Sequence, residues 1–326
     1  MSAITEMASV AFGPVPSRRL GRSIGINNIP PKVCSYSCLY CQVGRTRRLR
    51  VDRQLFINPN TIERDVRLKV DWTRDAGGRI DYLSFVPDGE PTLDARLGEA
   101  IDALRPLGIP VAVITNGSLL WQEDVRRDLQ KADWVSLKVD SVSERTWRRM
   151  NRPHRSLRRE AILEGMLAFR ERFLGCLVTE TMLVAGHNDD EENANATASF
   201  LARLKPATAY LSIPTRPPAE KSVTSPSEAV VQTTRQIFLG RMLNVELLVA
   251  CEGDSFSCSG EPMEALLGIT AVHPMRREAV KEFLRRSGQS WSLVQGLLEE
   301  GQLVETEYGG ETFYRRQTPI GKGAVR

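Results

Sequence analysis

Three cysteines fall within eight residues, in the run Cys34-Ser-Tyr-Ser-Cys38-Leu-Tyr-Cys41. Three closely spaced thiolates can hold three irons of a cubane iron–sulfur cluster, whereas a closed cluster or a structural zinc site normally takes four protein ligands. A cluster held this way keeps one iron open to a small molecule, which makes the site chemical. The competing reading is a zinc site completed by a remote ligand. Three further cysteines, Cys176, Cys251 and Cys258, stand apart from the run. Cys251 and Cys258 flank a glycine-containing stretch and are candidate ligands of a second cluster, although free cysteines are more often small buried hydrophobes.

Charge around the triplet is lopsided. The 326 residues carry a net +4, yet eight Lys or Arg and no Asp or Glu lie between Met7 and Val51. That excess is either a solvated loop or a surface for an anionic partner, a phosphate-bearing substrate or RNA. With 41% hydrophobic residues, the chain can bury one large core and a smaller one. Six cysteines are too few for a disulfide scaffold and suit a reducing compartment. The first residues have neither a basic nor an apolar leader region, and no run of about 18 uncharged apolar residues occurs. A soluble cytoplasmic protein without membrane contact is expected.

An alternation of strands and helices must position these groups. Apolar runs at 82–86, 111–115, 134–139, 178–184, 209–213 and 245–249 predict buried strands. Amphipathic stretches at 97–107, 122–131, 159–173, 190–204 and 227–241 predict the helices between them. Such alternation implies parallel strands with right-handed crossovers, and in a barrel the chemistry sits at the strands' carboxyl ends. Asp88-Gly-Glu-Pro-Thr-Leu93 follows the first of these strands and Thr115-Asn-Gly117 the second. Gly89 would let backbone approach closely, and Glu90 could accept from an ammonium group. Ser136, Lys138 and Asp140 alternate, so all three can face one side. A lysine there must be paired or shift its pKa, and Asp140 is the nearest partner in sequence. His154, His187 and His273 read as loop hydrogen-bonders. Toward the C-terminus, helices at 276–286 and 290–300 precede strands at 303–308 and 311–315 joined by Gly309-Gly310, the pattern of a winged helix.

The cysteine spacing and the strand-end motifs together resemble the radical SAM superfamily. The resemblance implies a partial (β/α)6 TIM-like barrel in residues 1–262 and a winged-helix domain in 263–326. It implies a [4Fe-4S] cluster on Cys34, Cys38 and Cys41, with S-adenosylmethionine (SAM) on the open iron. Tyr40 would pack near the adenine, Gly89 and Glu90 would meet the methionine amino group, and Asn116, Ser136 and Lys138 would meet the ribose and carboxylate. Asp88 replaces the glycine usual at that position. The segments Gly13-Pro-Val-Pro-Ser-Arg-Arg-Leu-Gly21, Ile29-Pro-Pro-Lys32, Thr215-Arg-Pro-Pro-Ala219 and Ala271-Val-His-Pro-Met-Arg276 resemble a branch grouped loosely with wyosine-type tRNA-modifying members. The implied reaction is reductive cleavage of SAM to a 5'-deoxyadenosyl radical that abstracts hydrogen from a substrate. The implied electron donor is a protein such as ferredoxin or flavodoxin. RNA, a peptide and a small molecule are all open as substrate. The stretch 290–300 has no Lys or Arg and ends in Glu299 and Glu300, which argues against phosphate recognition by that helix. An iron–sulfur redox-sensing regulator that reads DNA through its winged helix is the alternative of a different class.

Overall fold

The computed structural model describes residues 10–249, Phe256 and 261–317; Cys251 and Cys258 lie outside them. The chain begins with an antiparallel pair, β1 (Ala11–Ser17) and β2 (Gly21–Ile26). Two short strands, β3 (Val33–Cys34) and β4 (Arg48–Leu49), pair with each other in parallel. Helix α1 (Pro59–Asp75) follows, with Asn58 Oδ1 accepting from Asn60 N–H as its N-cap and Ile62, Val66 and Val70 buried at four-residue spacing. Then come β5 (Tyr82–Phe85), α2 (Leu97–Leu104), β6 (Val111–Thr115), α3 (Glu123–Leu129), β7 (Trp134–Lys138), α4 (Glu144–Asn151) and α5 (Arg159–Arg172). The series continues through β8 (Cys176–Met182), α6 (Glu191–Leu204), β9 (Thr208–Ser212), α7 (Glu228–Leu239) and β10 (Val245–Leu248).

One eight-stranded sheet runs in the order β1-β2-β5-β6-β7-β8-β9-β10. Every pairing in it except β1 with β2 is parallel. All six strands read from the apolar runs are present. The structure adds β2 as the first parallel strand, so the cysteine triplet follows a strand of the main sheet. β2 reads Gly-Arg-Ser-Ile-Gly-Ile, whose glycines and leading polar residues conceal it from a search for apolar runs.

The two faces of the sheet differ. Outward side chains such as Leu83, Phe85, Val113, Val135 and Leu137 join Ile62, Val66, Leu97 and Ile101 in the core beneath the helices. Inward, Leu20, Ala112, Trp134, Val178, Tyr210 and Leu248 plug one end. Toward the carboxyl ends the inward positions become Ser84, Ser136, Lys138, Glu180 and Ser212, with Lys138 in register with Glu180 and Met182 with Ser212. The sheet therefore closes at one end and opens into a polar chamber at the other.

Beyond the sheet lie α8 (Pro262–Val272), β11 (Met275–Arg276), α9 (Arg277–Ser287), α10 (Ser292–Glu299), β12 (Leu303–Tyr308) and β13 (Glu311–Arg316). Gly309 and Gly310 have φ of 59° and 79°, the two positive values a two-residue hairpin turn requires. The hairpin gains a third strand that the sequence did not suggest, giving the order β11-β13-β12. Phe12 and Val15 of β1 share a core with Leu266, Ile269, Phe283, Leu297 and Tyr314, which fastens this module to the edge of the main sheet. Among the described residues no helix is long and apolar enough to cross a membrane.

Candidate active site

Cys34 ends β3, and the loop from Ser35 to Gly44 carries Cys38 and Cys41. A turn shapes its far end, with Cys41 N–H donating to Cys38 O at 3.2 Å and Gly44 N–H to Cys41 O at 3.0 Å. The C-terminus of α4 serves as its template: Leu39 N–H donates to Met150 O at 2.9 Å, Ser37 N–H to Asn151 O at 3.0 Å, and His154 N–H to Ser35 O at 2.9 Å. Tyr36 packs edge-on against Trp147, whose Nε1–H donates to the tyrosine hydroxyl at 3.0 Å. The segment Asn151-Arg-Pro-His154 carries His154, which the sequence reads as a loop hydrogen-bonder. In the structure it shapes the cysteine loop, and His154 Nδ1 lies 2.8 Å from Ser156 Oγ.

All three thiols line one cavity of about 350 Å³, together with Tyr40, Gly89, Glu90, Asn116, Lys138, Glu180, Arg19, Arg216 and His273. That volume is within the usual range for a small-molecule site. Burial pushes each thiol pKa upward, that of Cys38 to about 12. Metal must therefore displace protons to bind. Amide groups approach two of the sulfurs: Asn151 Nδ2 is 3.5 Å from Cys38 Sγ and Asn116 Nδ2 is 3.6 Å from Cys34 Sγ. Among the described residues no set of three His, Cys, Asp or Glu side chains could hold a single metal ion. A cubane does not demand one, because it gives each thiolate its own iron. Three sulfur donors on one cavity wall fit such a cluster.

Glu90 is 1% exposed. Its Oε1 accepts from Thr92 N–H at 3.0 Å and from the Thr92 and Thr115 hydroxyls at 2.6 Å each, and its Oε2 accepts from Asn116 N–H at 2.8 Å. With one donor, Oε2 keeps capacity for another. Burial raises the Glu90 pKa against the pull of these donors. Gly89 packs against the cysteine strand itself: a Cβ there would stand 2.0 Å from Val33 O. Asp88 is explained by Lys32, a cation the sequence reading did not connect with it. The two pair at 3.2 Å, and Lys32 N–H donates to Asp88 O at 2.8 Å. Burial lowers the Lys32 pKa and raises that of Asp88, each opposed by the other's charge.

Deeper in the chamber, Lys138 Nζ lies 2.8 Å from Glu180 Oε1 and 3.7 Å from Asp140. Glu180, absent from the sequence reading, is the closer partner. It also pairs with Arg19, which reaches in from the β1–β2 turn, and accepts from Ser212 Oγ at 2.9 Å. Burial disfavours both charges, yet Glu180 and Asp140 raise the Lys138 pKa, and Lys138 with Arg19 hold Glu180 well below the carboxylate range. Ser136 Oγ accepts from Arg19 at 3.5 Å, behind the cavity wall. Tyr40 borders the cavity with Lys138 Nζ 5.1 Å from its ring centroid, and its hydroxyl donates to Asp140. Asn116 is anchored to the cysteine loop by donating to Ser35 Oγ at 2.9 Å. Cys176 is exposed at the first residue of β8, the opposite end of the sheet from the triplet.

The chain is similar to known proteins in sequence and in fold. A UPF0026 protein of Methanocaldococcus jannaschii is 46% identical over 311 residues, covering 94% of this chain and 96% of its own. The structure of a radical SAM methyltransferase from Sphaerobacter thermophilus superposes with a TM-score of 0.53 at 15% identity, over 70% of this chain and 67% of that one. Streptococcus suis SuiB bound to S-adenosylmethionine superposes at 0.51 with 14% identity, over 68% and 49% of the two chains. The model of the radical SAM superfamily matches residues 28–198. This chain therefore belongs to the radical SAM superfamily, among the UPF0026 proteins, and is an enzyme that uses a [4Fe-4S] cluster and S-adenosylmethionine.

Proposed function

We propose that Cys34, Cys38 and Cys41 hold the cluster, that SAM binds across Glu90 and Lys138, and that a substrate enters between the chamber and the C-terminal module. The observation that carries this reading is the opening of all three thiols, Glu90 and Lys138 onto one cavity. With Cys34, Cys38 and Cys41 holding the cluster and one electron supplied, the bound cofactors would provide reductive cleavage of SAM to methionine and a 5'-deoxyadenosyl radical for hydrogen abstraction from a substrate. The chain's own residues supply binding and orientation. Glu90 Oε2 offers an acceptor for an ammonium group, and Gly89 keeps the β5 end against the cysteine strand. Asn116 braces that strand through Ser35, and Tyr40 borders the chamber with Lys138 over its ring while Asp140 fixes its hydroxyl. Lys138 spends one N–H on Glu180, with Asp140 3.7 Å away, and keeps donor capacity for a carboxylate, while Ser136 steadies Arg19.

We take residues 1–262 as the catalytic core and 263–326 as a winged helix. Its α10, without a Lys or Arg, favours a peptide or protein over RNA as the partner of that helix. The electron would come from a protein such as ferredoxin or flavodoxin.

Anaerobic reconstitution with iron and sulfide, followed by dithionite and SAM, tests the reading. Formation of 5'-deoxyadenosine is expected; a protein that holds a [4Fe-4S] cluster yet forms none would overturn it. Cys38→Ala should lose most of the cluster iron, and unchanged iron content would overturn the ligand assignment.

A further inference from the structure

An electron for this site has to arrive from outside, and one face of the cysteine strand is built to receive its carrier. β3 lies between two neighbours. On the cavity side Val33 bridges to Gly89, and on the other side stands β4. Arg50 N–H donates to Cys34 O at 3.0 Å, while Arg47 and Arg48 N–H reach Lys32 O at 3.0 and 3.1 Å. Register sets Leu49 opposite Cys34, about 5 Å away at the spacing of adjacent strands. β4 faces outward: Arg47, Arg48 and Leu49 are exposed, Leu49 to 40%.

Two features separate this face from the substrate route. Val43, Gly44 and Thr46 line the cavity and Arg47, Arg48 and Leu49 do not, so a partner seated on β4 meets the cysteine strand through residues outside the chamber lining. A substrate must do the reverse. The face is also strongly basic. Residues 45–50 hold four arginines and no acid, and Arg152 is exposed on the segment that bonds Ser37 across the loop. Glu220 answers Arg45 and Arg152 together. An exposed leucine flanked in the chain by Arg47, Arg48 and Arg50 suits brief, electrostatically steered contact between redox partners.

We propose that Arg47, Arg48 and Leu49 form the docking face for an acidic one-electron carrier protein that reduces the cluster through the Cys34 strand. The inference rests on the assignment of Cys34 as a cluster ligand. The carrier is oxidised by one electron, the cluster site is reduced by one, and no bond is made or broken in either protein.

The test compares wild type with Arg47→Glu/Arg48→Glu, using Arg172→Glu/Arg203→Glu on the exposed ends of α5 and α6 as a charge-matched control and flavodoxin hydroquinone as the probe. In stopped flow, cluster reduction by flavodoxin should slow at least tenfold in the double variant and lose its salt dependence. Reduction by the methyl viologen radical cation, which needs no protein docking, should be unchanged at equal iron content. Flavodoxin rates equal to wild type would overturn the proposal, as would an equal loss with viologen. Loss of binding to a bulk tRNA fraction with flavodoxin rates intact would instead make the face a nucleic-acid surface and overturn it too. Flavodoxin affinity is also measured on protein without iron, where the double variant should bind at least tenfold more weakly. That arm reads the docking face even if the cluster assignment fails, a failure that would show separately as unchanged iron content in Cys34→Ala.

Discussion

Replacing Glu180 with glutamine removes the carboxylate that two chamber cations share while keeping its shape. Lys138 retains Asp140 at 3.7 Å, but Arg19 is left with Ser136 Oγ at 3.5 Å. The Lys138, Glu180 and Arg19 side chains are 19%, 14% and 15% exposed, buried enough that water screens them poorly. Breaking a buried pair from one side costs about 3–5 kcal/mol. The surviving Asp140 contact places Glu180→Gln near the lower end, about 3 kcal/mol. That is a large share of a typical stability of about 5–15 kcal/mol. The sign with pH follows from the lowered pKa of Glu180. Its contribution is complete above the unfolded value near 4.5 and declines as pH falls toward the folded value, by about 1.4 kcal/mol per pH unit. Urea denaturation of the iron-free protein at pH 7 and again near pH 3.5, extrapolated linearly, measures both. The gap between wild type and variant should narrow by about 1 kcal/mol at the lower pH. A gap under 1 kcal/mol at pH 7, or one that widens on acidification, would refute the reasoning. Combining Glu180→Gln with Lys138→Met should restore at least about 1 kcal/mol, because the two residues share one interaction.

Three further outcomes are expected. Asn151→Leu removes an N–H donor from the Cys38 sulfur, so the cluster's midpoint potential should fall by about 40–60 mV in an EPR-monitored titration, the equivalent of about 1 kcal/mol for one electron; an unmoved potential would mean that the 3.5 Å contact does not persist in the loaded protein. Gly89→Ala places a Cβ 2.0 Å from Val33 O, and the displaced cysteine strand should lower iron retention by half or more and stability by about 2–3 kcal/mol. Asp88→Gly leaves Lys32 buried without its counter-charge and should destabilise by about 3 kcal/mol. Adding Lys32→Met should recover most of that loss, and an equally unstable double variant in thermal melts would count against the pairing.

How much of this was legible in the sequence depended on distance along the chain. The cysteine triplet, Glu90 and Asn116 could be read because each sits in a short motif at a strand end. The apolar runs located β5 to β10, and Gly309-Gly310 located the hairpin. Arg19 and Glu180 carry no local signal, and their meeting is made by a sheet order that brings the β1–β2 turn over β8. Helix α4, Glu-Arg-Thr-Trp-Arg-Arg-Met-Asn, buries only Trp147, Met150 and Asn151, so its apolar stripe is too thin to register. Its role as template for the cysteine loop stayed hidden with it. Asp88 was a signal that could have been pressed further. A carboxylate in place of a glycine beside a buried strand calls for a cation, and Lys32 stands in the basic segment that had already drawn notice.

The C-terminal module holds the cysteine loop as well as the sheet edge. Gln42 Nε2 donates to Val272 O at 3.1 Å, Arg315 Nη1 donates to Val43 O at 3.2 Å, and Arg216 spans from Gln42 Oε1 at 2.9 Å to His273 Nε2 at 3.0 Å. These ties grip the two residues that directly follow Cys41. Thermodynamic reciprocity then joins two events on different parts of the chain. Any partner that draws the module away from this loop weakens the grip on the residues beside Cys41, and a filled cluster site must resist that partner by the same factor. Cofactor loading and any displacement of the C-terminal module would thus be linked through Gln42 and Val43, each opposing the other by the same factor.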